Sequence, residues 1–170
     1  MLRVLLFMAL LFRTEICAAA PVSELHRAFE AIEAQDWTDA FKIAKSSGPL
    51  AEDIVLWHYL RQGEGSFQQT ARFLHQNPDW PGLKLLRKQS EASFAGANPA
   101  DIAAFFENTS PQTGTGALIY AKALASLGRD QSAQKSIATA WRTLRLSADE
   151  EMTFMAVSYT HLTLPTNREV

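Results

Sequence analysis

The chain has 170 residues, of which 47% are apolar, and its 16 Lys and Arg against 18 Asp and Glu leave a formal net charge of −2. That is the length of one ordinary domain with enough apolar material for a core. A charge so near neutral leaves no electrostatic footprint for nucleic acid or an anionic membrane surface, so neither is expected as a partner. Alanine is abundant and β-branched residues are sparse, which favours helix over strand.

Residues 1–20 read as an export signal. Met1-Leu2-Arg3 supplies a positive start, Val4 to Phe12 is an apolar run too short to span a bilayer, and Ala18-Ala19-Ala20 offers small residues to a signal peptidase. Arg13 and Glu15 interrupt the segment, and Pro21 is a poor residue just past a cut. Cleavage after Ala19, with Cys17 and Ala19 at the small positions, avoids that proline. Thr14-Glu15-Ile16 before Cys17 is not a lipobox. The alternative is a buried N-terminal helix. With the signal removed, the mature chain has no cysteine and no stable transmembrane span, and a periplasmic protein held by packing without disulfides is expected.

Residues 21–157 read as a succession of short helices. Ser23 is placed to cap a helix running to about Ala34, with Leu25, Phe29 and Ile32 on one face. Asp36 is placed to cap the next, whose inward residues are Ala40, Ile43 and Ala44, and Ser46-Ser47-Gly48-Pro49 ends it. Ile54, Val55, Trp57, His58 and Leu60 fall in a third helix closed near Gly63, and Phe67, Ala71 and Leu74 mark a fourth. Asn77-Pro78-Asp79-Trp80-Pro81-Gly82 is a turn, with Pro81 suited to a first helical position. A fifth helix carries Leu83, Leu85, Leu86 and Phe94. Asn98-Pro99 repeats the cap-then-proline device ahead of Ile102, Phe105 and Phe106. Ser110 to Gly116 reads as a loop, Ala117 to Leu127 as a helix stopped by Gly128, and Gln131 to Leu144 as the next helix. Ser147 opens the last one, with Glu150 completing a capping box. No stretch alternates as a strand would.

A displacement of 93 positions aligns two of these helical hairpins: Ala28 with Ala121, Ala31 with Leu124, Ala34 with Leu127 and Ala40 with Ala133, while Gln35-Asp36 takes the place of Gly128-Arg129. Small residues at such spacing let two helices pack closely across a tight turn. Any helical hairpin also uses alanine there, and the full tetratricopeptide signature is absent. Under either reading the fold class is all-α. Stacked helical hairpins of this kind build an α-superhelix, a tetratricopeptide-like solenoid in which each pair contacts its neighbours.

Several segments carry a resemblance. They are Gln35-Asp36-Trp37 through Ala44 with Pro49 to Trp57; Phe73-Leu74, Asn77 to Leu83, Leu86-Arg87 and Glu91; and Ala103, Phe105-Phe106, Gly116-Ala117-Leu118, Ala121, Leu124, Leu127-Gly128, Ala133 and Ala140-Trp141-Arg142. Together they span roughly residues 25–156, and they resemble the N-terminal superhelical domain of periplasmic soluble lytic murein transglycosylases. The resemblance implies an α-superhelix, a periplasmic address and peptidoglycan glycan strands as partner of the full-length protein. In that family a C-terminal lysozyme-like domain does the chemistry. A glutamic acid followed by serine protonates the glycosidic oxygen of the MurNAc-GlcNAc bond and then assists attack by the muramic acid 6-hydroxyl, giving a 1,6-anhydro product. No glutamate here is followed by serine, so no catalytic residue is assigned and the chain alone is expected to be inactive. The domain is read as incomplete. Ser158 to Val170 resembles adapter-derived translation and is read as a non-native or disordered tail that breaks off a helix whose Met152, Phe154 and Met155 still need partners. A real, flexible tail is the alternative.

Other chemistry finds little support. His26, His58, His75 and His161 lack ligand spacing, so no metal site and no cofactor are assigned. Asp149-Glu150-Glu151 complements a helix dipole. Trp37, Trp57, Trp80 and Trp141 suit the seams between helices, and Trp80, beside a turn, is the best candidate to contact a sugar. Asn108-Thr109-Ser110 matches a glycosylation acceptor, a match common by chance. There is no Gly-rich phosphate loop and no nucleophile elbow. A reading from another class is a stand-alone periplasmic tetratricopeptide-like adaptor that binds an envelope protein.

Overall fold

Every regular element of the described residues is helical. The computed structural model describes the backbone of residues 20–162 and the side chains of residues 24–156. The proposed export signal therefore lies outside the described residues, save the backbone of its last residue, Ala20. The elements are α1 (Ala20–Glu33), α2 (Trp37–Ser47), α3 (Pro49–Arg61), α4 (Phe67–Gln76), α5 (Leu83–Ser90), a 3-10 turn (Glu91–Phe94), α6 (Pro99–Glu107), α7 (Gly114–Ser126), α8 (Asp130–Thr143) and α9 (Ala148–Leu162). No described helix is long and apolar enough to cross a membrane.

The chain divides into two units, Met1–Val55 and Leu56–Val170. In the first, α1 and α2 form an antiparallel hairpin around Ala28, Ala31, Ile32, Ala40, Ile43 and Ala44, and Ala51 and Val55 of α3 complete the core. Leu25, Phe29, Trp37 and Phe41 pack against it while partly exposed. The inner face expected of α2 is the one observed. Asp36 caps α2 by accepting from the Asp39 N–H at 3.0 Å, which satisfies one of the orphan donors of the first turn. α1 starts earlier than expected, so Ser23 lies inside its first turn and not at its cap.

The second unit holds three apolar clusters. Leu60, Phe73, Leu74 and Leu86 form one, with Trp57 and Trp80 against it. Phe67, Phe94, Ile102, Phe106 and Ala123 form the next, where the rings meet edge to face. The third joins α7, α8 and α9 through Ala117, Ala121, Leu124, Ala133, Ile137, Ala140 and Phe154. Ser66 and Gln69 make a capping box at the start of α4. Asn98 caps α6 by accepting from the Ala100 N–H at 2.9 Å, with Pro99 in the first turn, as expected.

Three expectations need correction, and one residue of the fifth helix lies toward solvent. Pro81 stays in the turn, because left-handed Gly82 (φ 70°) redirects the chain before α5 begins at Leu83. The fifth helix is two pieces, since α5 ends at Ser90 and a 3-10 turn carries Phe94 into the core. Leu85 is 41% exposed, because it lies about 100° around the helix from buried Leu86. Finally, α9 continues to Leu162, past the break expected at Ser158, since no proline or glycine interrupts it there. The rest of the proposed tail, residues 163–170, lies outside the described residues.

The hairpin repeat appears in the backbone. Asp36 N–H donates to Ala31 C=O and Gln35 N–H to Ile32 C=O, at 2.9 and 3.0 Å. At the positions displaced by 93, Arg129 N–H donates to Leu124 C=O and Gly128 N–H to Ala125 C=O, both at 2.9 Å. This is the same Schellman ending of α1 and of α7, with a left-handed residue at its centre in each: Gln35 (φ 57°) and Gly128 (φ 71°). Ala28, Ala31, Ala40 and their counterparts Ala121, Leu124, Ala133 are buried. Ala34 and Leu127, also aligned, are exposed and belong to neither core.

Candidate functional site

Polar chemistry converges in two places in the second unit. The first is the N-terminus of α7, expected to be loop. Thr113 caps the helix, its hydroxyl accepting from the Gly116 N–H at 2.9 Å. Against this cap lies Glu91, 2% exposed. One carboxylate oxygen accepts from the Gln112 N–H at 2.7 Å, and the other accepts from the Thr113 N–H at 2.8 Å and from the Thr113 hydroxyl. Burial pushes the Glu91 carboxyl above its ordinary range, against the opposing pull of the Thr113 hydroxyl, the two backbone N–H groups and Lys88. Gly116 makes the approach possible, because a Cβ there would sit 2.7 Å from Glu91 Cδ.

A second carboxylate reaches the same helix end. Glu150 accepts from the Thr115 N–H and hydroxyl at 2.9 and 3.1 Å through one oxygen. Through the other it accepts from the Ser147 N–H and hydroxyl at 2.9 and 3.2 Å. The expected capping box is therefore present, and it also clamps α9 to α7. The Ser147 N–H is the largest cause holding Glu150 below the ordinary carboxylate range, with the Ser147 hydroxyl and Thr115 adding to it against burial. Both carboxylates are spent on backbone donors that a helix N-terminus leaves open. Neither has a free oxygen aimed at a substrate, so their chemistry is structural.

The second place is a ring platform. The Trp57 indole N–H donates to Pro81 C=O at 3.0 Å, which locks the ring onto the Asn77–Gly82 turn. Trp80 meets Trp57 at 6.3 Å and Phe73 at 5.2 Å between centroids, both edge on. The Arg61 guanidinium lies 4.4 Å above the Trp57 ring. Its Nε is buried with no hydrogen-bond partner, and no described carboxylate pairs with Arg61. His58 stands edge-on to Trp57 at 4.8 Å, and burial, then the Arg61 charge, lowers its pKa. The cluster thus joins two half-buried indoles to a cation with no counter-ion among the described residues.

The remaining candidates disperse. His26 pairs with Glu30 on the outside of α1 at 3.4 Å, His75 is exposed on α4, and the His161 side chain lies outside the described residues. Among the described residues no group of three or more His, Cys, Asp or Glu could hold a metal ion. Trp37 packs in the first unit's core, whereas Trp141 is 45% exposed and touches Phe154. Trp80, read as the best candidate to contact a sugar, is half-buried, and Trp141 is the more exposed of the two. The exposed Asn108 caps the end of α6. Sequence reasoning missed Glu91 and Arg61. The Thr-Gly-Thr-Gly run from Thr113 to Gly116, ahead of an apolar stretch, was the available signal for a capped and closely approached helix start.

Taken together, fold and site define an all-α protein of helical hairpins, with structural carboxylates at one helix end and a half-buried cationic ring platform. Comparison with protein-family models, with curated proteins and with solved structures returns no match.

Proposed function

We propose that this chain is the non-catalytic helical scaffold of an exported lytic transglycosylase, forming part of the body that surrounds peptidoglycan glycan strands. In this reading the hairpins stack into an α-superhelix of tetratricopeptide-like pairs. Cleavage of the MurNAc-GlcNAc bond with 1,6-anhydro product formation belongs to a lysozyme-like domain of the parent protein. The observation that carries the proposal is where the family-like residues fall. Ala40, Leu86, Ala103, Ala121, Leu124 and Ala133 are buried at helix contacts. Gln35-Asp36, Asn77–Gly82 and Gly128 make the turns between helices. Burial at the first set of positions and turns at the second are what a shared scaffold requires, although Leu50, Leu127 and Trp141 of the same segments are exposed. The most enclosed carboxylate, Glu91, is consumed by the Thr113 cap, which fits a scaffold role.

The experiment has two arms. The purified 170-residue chain should co-sediment with purified sacculi while releasing no anhydromuropeptides, read by chromatography of the soluble fraction. The parent reading frame should encode a lysozyme-like domain with a Glu-Ser pair. Release of anhydromuropeptides by the pure chain, or a parent frame without that domain, overturns the reading.

A further inference from the structure

Arg61 is the one place in the ring platform where charge is left uncompensated. A guanidinium has five N–H donors and no acceptor, and stacking on Trp57 uses its face and leaves its donor edges unused. Partial burial of an unpaired cation is costly, so an anion arriving there gains more than at an ordinary surface arginine. Asp79 lies in the adjoining turn but makes no ion pair with it. The ring under the cation is fixed, because the Trp57 indole N–H is bound to Pro81 C=O, and Gly82 lies close by, where a Cβ would fall 4.0 Å from Arg61 Nε and Cζ. Preorganisation of this kind lowers the ordering cost of binding. Trp80 adds a half-buried indole beside the cation, an apolar body suited to the apolar face of a pyranose. A single cation on a chain of net charge −2 does not suit a polyphosphate, whose capture needs several neutralised phosphates.

We propose that Arg61, Trp57 and Trp80 form a binding site for a carboxylate-bearing glycopeptide, the guanidinium taking a carboxylate of the peptide and Trp80 the sugar ring. This rests on the glycan-scaffold reading and names the part of the chain that touches the glycan. The carboxylate is taken end-on by the two Nη groups, since Nε is buried.

The test titrates the full chain with the disaccharide tetrapeptide GlcNAc-MurNAc-tetrapeptide, with neutral chitotetraose and with the free tetrapeptide, followed by calorimetry and tryptophan fluorescence. The disaccharide tetrapeptide should bind on the order of tenfold more tightly than chitotetraose, the ratio set by one charge-assisted hydrogen bond, and on the order of tenfold more tightly than the free tetrapeptide, which lacks the sugar ring for Trp80. Arg61→Gln should lose that tenfold and leave chitotetraose unchanged. Trp80→Leu should weaken both saccharides, and Trp141→Leu neither. Arg61→Lys, which keeps the charge without the planar fork, should fall between wild type and Arg61→Gln, and it serves if Arg61→Gln does not fold. Equal binding of chitotetraose, equal binding of the free peptide, or an Arg61→Gln variant that is folded and unchanged would each overturn the site. A chain that sediments with sacculi yet does not bind the disaccharide tetrapeptide overturns this site alone. Arg61-dependent binding in a protein whose parent frame lacks a lysozyme-like domain upholds the site and sinks the scaffold reading.

Discussion

Gly116→Ala should destabilise the protein although the substitution usually strengthens a helix. Replacing glycine by alanine inside a helix gains about 1 kcal/mol from backbone entropy. At this position the new Cβ would meet the Glu91 side chain at 2.7 Å from Cδ and 3.0 Å from Cβ, well inside ordinary contact. Glu91 has no room to retreat, being 2% exposed and tied to Gln112 and Thr113. Relief requires breaking at least one charge-assisted hydrogen bond, about 1.5–3 kcal/mol, with overpacking strain of about 1–3 kcal/mol. Less the propensity gain, the net loss is about 1.5–5 kcal/mol, which in a chain of this size lowers Tm by roughly 3–20 °C. Urea unfolding at neutral pH followed by far-UV circular dichroism measures the loss, and a double-mutant cycle with Glu91→Ala assigns its cause. Without the glutamate the clash is gone, so Gly116→Ala should then stabilise by up to about 1 kcal/mol. A Gly116→Ala protein as stable as wild type, or one equally damaged in both backgrounds, would refute the close approach of Glu91 to α7.

The two carboxylates at α7 should give stability opposite dependences on pH. Burial raises the Glu91 pKa, so its contribution is full below the ordinary carboxylate range and is lost as pH rises through the folded pKa; Glu91→Gln should remove that decline in urea midpoints taken from acid to neutral pH. Glu150 is held low, so its contribution is present above the ordinary range and lost as pH falls through the depressed pKa; Glu150→Gln should flatten the acid limb of the same series, and an unchanged limb counts against the clamp. Gln35→Gly should stabilise the first unit by about 1 kcal/mol, because a side chain is strained at φ 57°. Gly128→Ala, at the matching turn, should cost about as much in thermal melts, and equal Tm values for all three proteins would contradict the shared geometry.

What could be read from the sequence was local. Asp36, Asn98 and the Ser147–Glu150 box announce helix starts because a capping side chain bonds a backbone group only two or three residues away. The inner face of α2 follows from the spacing of Ala40, Ile43 and Ala44. Glu91 could not be read, because its partners lie 21 and 22 residues ahead and an isolated glutamate ordinarily faces water. Gly114 and Gly116 look like loop residues for the same reason, since what they accommodate comes from Leu146, Glu150 and Glu91, all distant in sequence. Arg61 on Trp57 is a near neighbour at helical spacing, yet the missing counter-ion shows only when the turn bearing Pro81 and Gly82 is in place. The hairpin repeat was legible in its alanines. That Gln35 shares the left-handed conformation of Gly128 was not, because glutamine does not favour it; the packing of α1 on α2 imposes the turn and outweighs the residue's own preference.

The two polar sites differ in a way that bears on function. At α7 the protein meets its exposed N–H groups with its own carboxylates, and glycines at 114 and 116 clear the space for them. Little is left there for an external anion, because the Thr113, Thr115 and Gly116 N–H groups already have internal acceptors. At Arg61 the opposite holds: the cation stacks on Trp57, its Nε is buried without a hydrogen-bond partner, and no described carboxylate pairs with it, although acidic residues outnumber basic ones in the chain. A structural arginine would be more stable paired, since breaking or omitting the partner of a desolvated charge destabilises the fold. Leaving it unpaired beside an available indole makes sense when the partner is supplied from outside, which is why the binding experiment turns on Arg61 and not on either glutamate.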